Sequence, residues 1–416
     1  MRTGEDNLVT WGGERADDVS LDEYQFRRIN GLPPYVFTII NDLKAAARRA
    51  GHDVVDLGFG NPDIPSPSIA VDKLAEAARN ARNHRYSLSA GIPKLRSALG
   101  DLYLRRFGVE LDPETEIVST IGAKEGLSHL MWVLLGPGDS AIVPTPSYPI
   151  HIYAPLFAGA EVAQVRVTGD GDRDFLQGCI DVFQSQWPRP RVILCSFPHN
   201  PTTTCIDLDA MTALVRFAAD NDVVLVHDFA YSDTAFDGYS PPSVLQVPGA
   251  KECSVELYTL TKSFSMAGWR VGFLVGNAKV VAALKKIKSY LDYGTFQPIQ
   301  IAATVTLNDA PDYPKEVAAI YQGRRDALCD SFGRIGWEIE RPKGTMFVWA
   351  PIPAAYADMG SLDFAQMLVT EAKVAVSPGV GFGLGGEGYV RFALIENEQR
   401  IAQAARTIRR ALPKLG

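Results

Sequence analysis

Lys262 is the residue of this sequence best placed for covalent chemistry, because it stands in a turn between two apolar runs, residues 255–260 and 271–275. A lysine beside apolar strands loses hydration, so its amine deprotonates more easily and can attack an aldehyde. The same turn offers hydroxyl groups and a fixed cation from Thr259, Thr261, Ser263 and Arg270. Such groups suit a phosphate-bearing aldehyde. Pyridoxal phosphate is therefore the candidate cofactor, and the plainer alternative is a surface lysine in a polar turn.

A carboxylate, Asp228, ends another apolar run at residues 223–227. A charge at that place is costly unless it is paired, and the protonated nitrogen of a pyridine ring is a partner that keeps the ring an electron sink. Tyr231 follows three residues later, and Asn200 is constrained by a proline close to each side. Both side chains are predicted to bind the phenolic oxygen of that ring. A structural aspartate is the alternative for Asp228 alone.

The phosphate group needs a cradle, and a helix is predicted to begin at Ala123 and Lys124, directly after the apolar run 117–120. The N-terminus of a helix presents free N–H groups and the positive end of its dipole to an anion. Lys124 in the first turn opposes that dipole unless an anion is bound. Tyr148 opens the next predicted helix and can stack on a pyridine ring, although an ordinary core tyrosine fits the same pattern.

Arg391 lies inside the apolar run 389–393, and a buried guanidinium requires a carboxylate from the protein or from a substrate. We favour the α-carboxylate of a substrate, which the planar guanidinium matches with two hydrogen bonds. No metal site is predicted, because the histidines lack HxH or HxxxH spacing and the five cysteines lack CxxC spacing. His199 and His227 are interpreted as core residues or as residues behind the site.

Residues 381–386 match the pattern GxGxxG, but the residues that follow alternate like a strand. A dinucleotide-binding turn must open a helix that receives the pyrophosphate. We therefore interpret these glycines as a flexible loop.

The composition is that of a soluble globular chain, with 416 residues, 46% hydrophobic and 21% charged. The length favours two domains. The net charge of −7 argues against a nucleic-acid surface. Five scattered cysteines favour a reducing compartment, and the sequence shows neither a signal-peptide pattern nor a run long enough to span a membrane. We expect a cytoplasmic protein.

The fold class is predicted to be α/β, because strand runs and helices alternate between residues 116 and 275, as in a mostly parallel sheet covered by helices. The N-terminal part is predicted to contain a strand at 53–59. After residue 279, helices and short strands, including 337–340 and 346–350, predict a smaller α+β domain. The expected organisation is a flexible arm at 1–25, an N-terminal segment at 26–67 that joins the small domain, a large cofactor-binding domain at 68–311 and a small domain at 312–416.

Taken together, these motifs resemble the class I and II aminotransferases of PLP-dependent transferase fold type I, over residue 26 to the C-terminus. The resemblance is carried by Gly60-Asn-Pro, Tyr86, Gly122-Ala-Lys124, Tyr148, Asn200-Pro-Thr, Asp228 with Tyr231, Thr259-x-x-Lys262 with Arg270, and Arg391. The segments around Tyr35, Tyr148, Arg270, Tyr290 and Arg391 are most similar to the bacterial glutamate–pyruvate (alanine) aminotransferase branch.

The resemblance implies a role for each of these residues. Lys262 forms a Schiff base with the cofactor and then carries the Cα proton, while Asp228 holds the pyridine nitrogen and Tyr231 and Asn200 bind the phenolic oxygen. The phosphate is expected to be bound by Ala123, Lys124, Thr259 and Arg270, with Tyr86 contributed by the neighbouring subunit of a homodimer. The substrate carboxylate is expected to be bound by Arg391 and Asn200, and Tyr35 and Gly60 are predicted to line the substrate site.

One position departs from that branch, which usually has a basic residue where this chain has Ala90. If that residue receives a distal carboxylate, glutamate is a poor donor here. The first hypothesis is an aminotransferase that moves an amino group between an alanine-like or glutamate-like L-amino acid and a 2-oxo acid. The second is a PLP enzyme of specialised metabolism that uses the same quinonoid chemistry for elimination, replacement or C–C bond formation. A non-catalytic regulator or scaffold is the third, and it is disfavoured because Lys262, Asp228 and Arg391 are all present.

Overall fold

The structure, a computed structural model, describes residues 26, 32, 35–167 and 172–412, with the backbone alone at 172–174. The chain divides into two units, residues 1–35 and 36–416. The predicted arm at 1–25 lies outside the described residues. Tyr35 is the last residue of the first unit and is exposed, and its predicted substrate contact stays a prediction.

The helices and strands of residues 36–412 alternate along most of the chain. The helices are α1 (Val36–Arg49), α2 (Ser68–Ala78), α3 (Pro93–Phe107), α4 (Ala123–Leu134), α5 (Pro149–Ala158), α6 (Asp172–Ser185), α7 (Leu208–Asp220), α8 (Leu260–Ser263), α9 (Ala278–Leu291), α10 (Gln297–Asp309), α11 (Tyr313–Gly333), α12 (Ser361–Met367) and α13 (Glu398–Ala411). The strands are β1 (Val55–Asp56), β2 (Ile117–Thr120), β3 (Ser140–Thr145), β4 (Glu161–Arg166), β5 (Val192–Cys195), β6 (Val224–Asp228), β7 (Ser254–Thr259), β8 (Gly272–Gly276), β9 (Phe347–Pro351), β10 (Val374–Ala375), β11 (Ser377–Pro378) and β12 (Tyr389–Ala393).

Seven strands form the central sheet in the order β2-β8-β7-β6-β5-β3-β4. Strands β3 to β7 run parallel, and β8 is antiparallel to both of its neighbours, β7 and β2. Every residue of β2, β3, β5, β7 and β8 is buried, because apolar helices cover both faces of the sheet. The predicted mostly parallel α/β sheet is confirmed.

Cap residues define where two of the helices begin and end. Asp207 caps α7 by accepting a hydrogen bond from the N–H of Ala210 at 2.8 Å, as expected of an aspartate at an N-cap. Gly108 ends α3 in the left-handed conformation with φ 68°, which glycine adopts without a steric cost.

A three-stranded antiparallel sheet, in the order β11-β12-β9, packs with α1 and α11 to α13. β1 pairs in parallel with β10, with Val55 opposite Val374, so the N-terminal segment joins the C-terminal part of the chain. The predicted domain limits at 67/68 and 311/312 stay predictions.

Two sequence-based assignments need correction or refinement, and a third agrees with the structure. The predicted strand at 337–340 is wrong: Trp337 and Ile339 are buried and Glu338 and Glu340 are exposed, but this extended stretch pairs with no described strand. Every second side chain is buried against the core, but the backbone forms no hydrogen-bonded ladder with a neighbouring strand among the described residues. Of the predicted strand at 53–59, only Val55–Asp56 pairs. The glycine motif at 381–386 is followed by β12 and opens no helix, as predicted.

Gly272 allows a close approach between β8 and the start of α4. A Cβ atom at this position would lie 2.7 Å from the backbone nitrogen of Ala123 and 2.7 Å from the carbonyl carbon of Gly122. Contacts that short require the backbone to move. Only glycine therefore lets the strand and the helix N-terminus touch.

We expect Gly272→Ala to destabilise the protein by about 1–3 kcal/mol through overpacking and to weaken binding of an anion at the start of α4. Gly268→Ala is the matched control, since nothing lies within 4 Å of a Cβ at that position. Thermal unfolding and the dissociation constant for pyridoxal phosphate measure the two effects. Equal behaviour of the two variants would contradict the close approach.

Candidate active site

The ends of three strands meet at one edge of the central sheet. Thr120 at the end of β2 and Thr259 at the end of β7 both pair with Gly272, the first residue of β8. On the next strand, Asp228 at the end of β6 pairs with Leu257 of β7. The segments that leave these strands therefore share one edge, where ligands of open α/β sheets bind.

Lys262 lies in α8, the single helical turn that follows β7. Its Nζ donates a hydrogen bond to the carbonyl oxygen of Gly60 at 2.8 Å. Burial, followed by the nearby guanidinium groups of Arg391 and Arg270, lowers the pKa of this amine from 10.5 to about 7. A substantial fraction of the amine is thus neutral near pH 7 and able to act as a nucleophile.

Asp228 is buried and pairs with a histidine that the sequence analysis missed. Its Oδ2 lies 2.8 Å from Nε2 of His151, whose Nδ1 lies 2.8 Å from the hydroxyl of Ser147. With Nε2 as the donor to the carboxylate, the neutral ring accepts at Nδ1 from that hydroxyl. His151 follows Tyr148 by three residues, one helical turn, which was the one signal available in the sequence.

The second carboxylate oxygen of Asp228 tests whether the site fits pyridoxal phosphate. Oδ1 is buried and has no hydrogen-bond partner among the residues that the structure describes. A buried acceptor of this kind is costly unless a ligand supplies a donor. The N–H of a protonated pyridine ring is such a donor, so Asp228 fits the predicted cofactor.

Arg391 and Asn200 form a second polar group beside Lys262. Nη1 of Arg391 donates to Oδ1 of Asn200 at 2.7 Å, and Nη2 donates to the carbonyl oxygen of Gly58 at 3.3 Å. The guanidinium carbon lies 3.8 Å from the ring centroid of Phe347 and 4.6 Å from that of Phe382. These contacts fix the plane of the guanidinium, as a planar clamp for a carboxylate requires.

Gly60 connects this arginine to the lysine. A Cβ at Gly60 would lie 2.6 Å from the ring of Phe347 and 3.8 Å from Nη2 of Arg391, while the carbonyl oxygen of Gly60 accepts from Lys262. The structure thus brings Gly60, Lys262, Arg391 and Asn200 together, and their predicted roles in binding stay predictions.

The start of α4 offers backbone N–H groups to an anion. Its N-cap is Gly122, and no side chain caps the helix. The guanidinium of Arg270 packs on Gly122 and donates to the carbonyl oxygen of Ile121 at 3.3 Å. Ala123, Lys124 and Arg270 can therefore hold a phosphate between uncapped amides and a cation. The hydroxyl of Thr259 donates to the carbonyl oxygen of Val271 at 3.0 Å, and its predicted phosphate contact stays a prediction.

Apart from Tyr35, the tyrosines predicted at the site have different surroundings. Tyr231 is buried, packs on the ring of Phe347 at 5.8 Å, and has a pKa raised by burial. The ring of Tyr148 lies 5.6 Å from Nζ of Lys124, and its pKa is also raised, by burial and by Asp228. Tyr86 is 83% exposed and packs on Tyr293 at 4.4 Å, so it lies on the surface of the chain.

The histidines singled out as core residues are fully buried. Nδ1 of His227 pairs with Glu256 at 2.8 Å, and Nδ1 of His199 pairs with Thr202 at 2.7 Å. Burial lowers the pKa of His199 to about 3, which keeps it neutral. Both therefore lie in the polar core behind the site.

Among the described residues, Glu125, His129 and Asp292 are close enough to share a metal ion. The ammonium group of Lys288, however, lies 3.1 Å from Glu125 and 2.9 Å from Asp292. This fully buried lysine already supplies a cation to the cluster.

Comparison with known proteins agrees with this geometry. The family model described as "Aminotransferase class I and II" matches residues 52–408. The chain is 49% identical to "Glutamate-pyruvate aminotransferase AlaC" of Escherichia coli, over 93% of each chain. It is 48% identical to "Putative aminotransferase AatC" of Rhizobium meliloti, over 93% of this chain and 95% of the relative. It is 41% identical to an LL-diaminopimelate aminotransferase of Moorella thermoacetica, over 94% and 98%.

Solved structures are similar along nearly the whole chain. Substrate-bound BacF of Bacillus subtilis superposes with a TM-score of 0.85 at 33% identity, over 92% of this chain and 96% of that one. A variant of the aspartate aminotransferase of Thermus thermophilus superposes with a TM-score of 0.85 at 27% identity, over 93% and 99%.

The lowered pKa of Lys262 predicts how the cofactor-free protein reacts with pyridoxal phosphate. An ammonium group is not nucleophilic, so the rate should rise as the pH passes through about 7 and level off about one unit higher, where roughly 90% of the amine is neutral. Stopped-flow absorbance measures this rate. Arg391→Leu removes a positive neighbour and should move the inflection to higher pH. An unchanged inflection, or one near the ordinary lysine pKa of 10.5, would contradict the assignment.

Proposed function

Because this chain belongs to the class I and II aminotransferase family, we propose that its substrates are an alanine-like or glutamate-like L-amino acid and a 2-oxo acid, with Lys262 as the residue that binds the cofactor. PLP-dependent transamination and fold type I, both predicted from the sequence, are confirmed by the family and the relatives. The alternative outcomes of elimination, replacement or C–C bond formation are not favoured by these relatives.

The activity of one similar protein supports this choice of substrates. The Escherichia coli protein at 49% identity is a glutamate–pyruvate aminotransferase. Other relatives act on LL-diaminopimelate at 40–41% identity, so the branch alone does not fix the donor. Ala90, which is uncharged, favours alanine over glutamate as the donor in our proposal.

The observation that carries the cofactor assignment is the carboxylate of Asp228. One oxygen is bonded to His151, and the other is buried without a donor among the described residues. When bound, pyridoxal phosphate supplies an aldehyde for a lysine amine and a ring that withdraws electrons from the substrate Cα. Asp228 keeps the ring nitrogen protonated, and His151 holds the carboxylate in place. Asn200 and Tyr231 are proposed to bind the phenolic oxygen.

Lys262 is proposed to move the proton of the reaction. Burial, Arg391 and Arg270 lower the pKa of its amine to about 7 in the protein itself, so a neutral amine would be available beside a bound cofactor. It can then accept the proton from the substrate Cα and return it elsewhere, as a general base and acid. The carbonyl oxygen of Gly60, 2.8 Å away, holds the amine in position.

The substrate carboxylate is proposed to bind Arg391 and Asn200, with Gly60 and Tyr35 beside it. Stacking on Phe347 and Phe382 orients the guanidinium before the substrate arrives. A preordered clamp lowers the entropic cost of binding. The same phenylalanines exclude water from the clamp.

The phosphate is proposed to bind the N-terminus of α4 through Ala123 and Lys124, with Arg270 and Thr259. We also propose a homodimer in which Tyr86 of one subunit reaches the phosphate held by the other. The exposed pair Tyr86–Tyr293 and the exposed Tyr290 support this proposal, since large aromatic side chains at a surface mark interfaces.

The cytoplasm is the proposed compartment. All five cysteines are free, and three of them, Cys179, Cys195 and Cys329, are buried, which suits a reducing environment. None of the described helices has the length and apolar character needed to cross a membrane.

A single-turnover absorbance experiment tests the reaction. The purified holoenzyme is mixed with alanine, glutamate and other amino acids in turn, without an acceptor. We expect the visible band of the lysine-bound cofactor to disappear fastest with alanine, with release of one equivalent of pyruvate. Lys262→Ala should show neither the band nor the product. Failure of every common amino acid to yield a 2-oxo acid would contradict the proposed substrates.

A subunit-mixing experiment tests the dimer. Sedimentation should give twice the mass of one chain, and Tyr86→Ala should weaken cofactor binding about tenfold, the value of one hydrogen bond to a charged group. Trp187→Ala, which removes an equally exposed aromatic side chain outside the proposed interface, is the control. Mixing Lys262→Ala with Tyr86→Ala subunits should restore one complete site per dimer. No gain in activity on mixing would contradict a tyrosine shared between subunits.

A further inference from the structure

A buried carboxylate, Asp233, lies between the segment that carries Tyr231 and the turn that carries Lys262. It follows Tyr231 by two residues, in a tight turn closed by the N–H of Thr234 donating to the carbonyl oxygen of Tyr231 at 3.1 Å. The side chain of Asp233 has no exposed surface. A carboxylate so placed is costly unless several donors compensate it.

The donors to Asp233 come from three different segments. Oδ1 pairs with Arg106 of α3. Oδ2 accepts hydrogen bonds from the hydroxyls of Ser263 at 2.5 Å, Ser232 at 2.8 Å and Tyr258 at 2.9 Å. Arg106 also donates to the carbonyl oxygen of Ser232 at 3.2 Å. Both oxygens of the carboxylate thus face groups of the protein itself.

Two of these donors stand on either side of Lys262 in the sequence. Tyr258 lies in β7, four residues before the lysine, and Ser263 is the residue directly after it. α8 is a single turn of four residues, and a helix that short has little stability of its own. Asp233 ties both ends of this turn to one point, and that point is two residues from Tyr231.

From this arrangement we propose that Asp233 is a positioning residue, which acts through Ser263 and Tyr258 to hold the Lys262 turn in register with Tyr231. The proposal rests on the proposed role of Lys262. It assigns Asp233 no contact with the cofactor or the substrate. Its effect is on geometry, because a displacement of about 1 Å of a reacting group costs up to 100-fold in rate.

The test uses variants that each remove one hydroxyl donor to Asp233. Asp233→Asn itself is unsuitable, because it would leave Arg106 facing a neutral amide and can prevent folding. Ser263→Ala removes the donor attached to the lysine turn. Ser232→Ala is the matched control, because it removes a donor to the same oxygen from the segment that carries Tyr231. Tyr258→Phe removes the donor on the strand side. Each holoenzyme is compared with wild type and with Lys262→Ala.

Three measurements separate a positioning role from a purely structural one. Ser263→Ala and Tyr258→Phe should each lower kcat on the order of 10-fold, the value of one buried hydrogen bond, with KM for the amino acid unchanged. The visible circular dichroism of the lysine-bound cofactor should change in both, because it reports the asymmetric surroundings of the chromophore. Ser232→Ala should retain the kcat and circular dichroism of wild type at a similar melting temperature.

The outcomes are distinguishable. If Ser263→Ala and Ser232→Ala lower kcat equally, or if neither changes the circular dichroism, the positioning role of Asp233 is overturned while that of Lys262 stands. If Lys262→Ala keeps the visible band and turnover, the role of Lys262 falls, and the positioning role falls with it.

Discussion

The crowding of cations at one edge of the central sheet is the constraint on which the site depends. Lys262, Arg270 and Arg391 lie close enough for the two guanidinium groups to lower the pKa of the lysine. Holding like charges together in a partly desolvated space costs free energy. The arrangement is relieved when anions enter, and both the phosphate of the cofactor and the carboxylate of an amino acid are anions. Repulsion among these cations therefore favours both the binding of anions and a reactive amine at Lys262.

Positioning in this site is achieved largely by glycines and hydroxyl groups. Gly272 lets a strand touch the start of α4, and Gly60 brings a carbonyl oxygen to Lys262. Asp233 accepts hydrogen bonds from the hydroxyls of Ser263, Ser232 and Tyr258. None of these residues carries out a chemical step, but each sets the distance between groups that do.

The sequence allowed most of this to be predicted where the signal is local. The strands that end in Asp228 and Thr259 are mostly apolar runs, and the helix that begins at Ala123 directly follows another such run. The failure at 337–340 has a physical cause, since the alternation of Trp337 and Ile339 records burial and not pairing. The contact between His151 and Asp228 joins residues far apart in the chain. No periodicity reports such a contact, and the same holds for Asp233.

The shared pairing of Thr120 and Thr259 with Gly272 has a consequence for how this chain matures. Most of the sequence of the central sheet lies between β2 and β7, so the phosphate cradle and the lysine meet only after distant segments have paired, a slow event in folding. The cofactor consequently recognises the finished fold and not an intermediate. By mass action it stabilises that fold, by about 2.7 kcal/mol at a free concentration of about 100 times its dissociation constant. The supply of pyridoxal phosphate would then govern the lifetime of the folded chain as well as its activity.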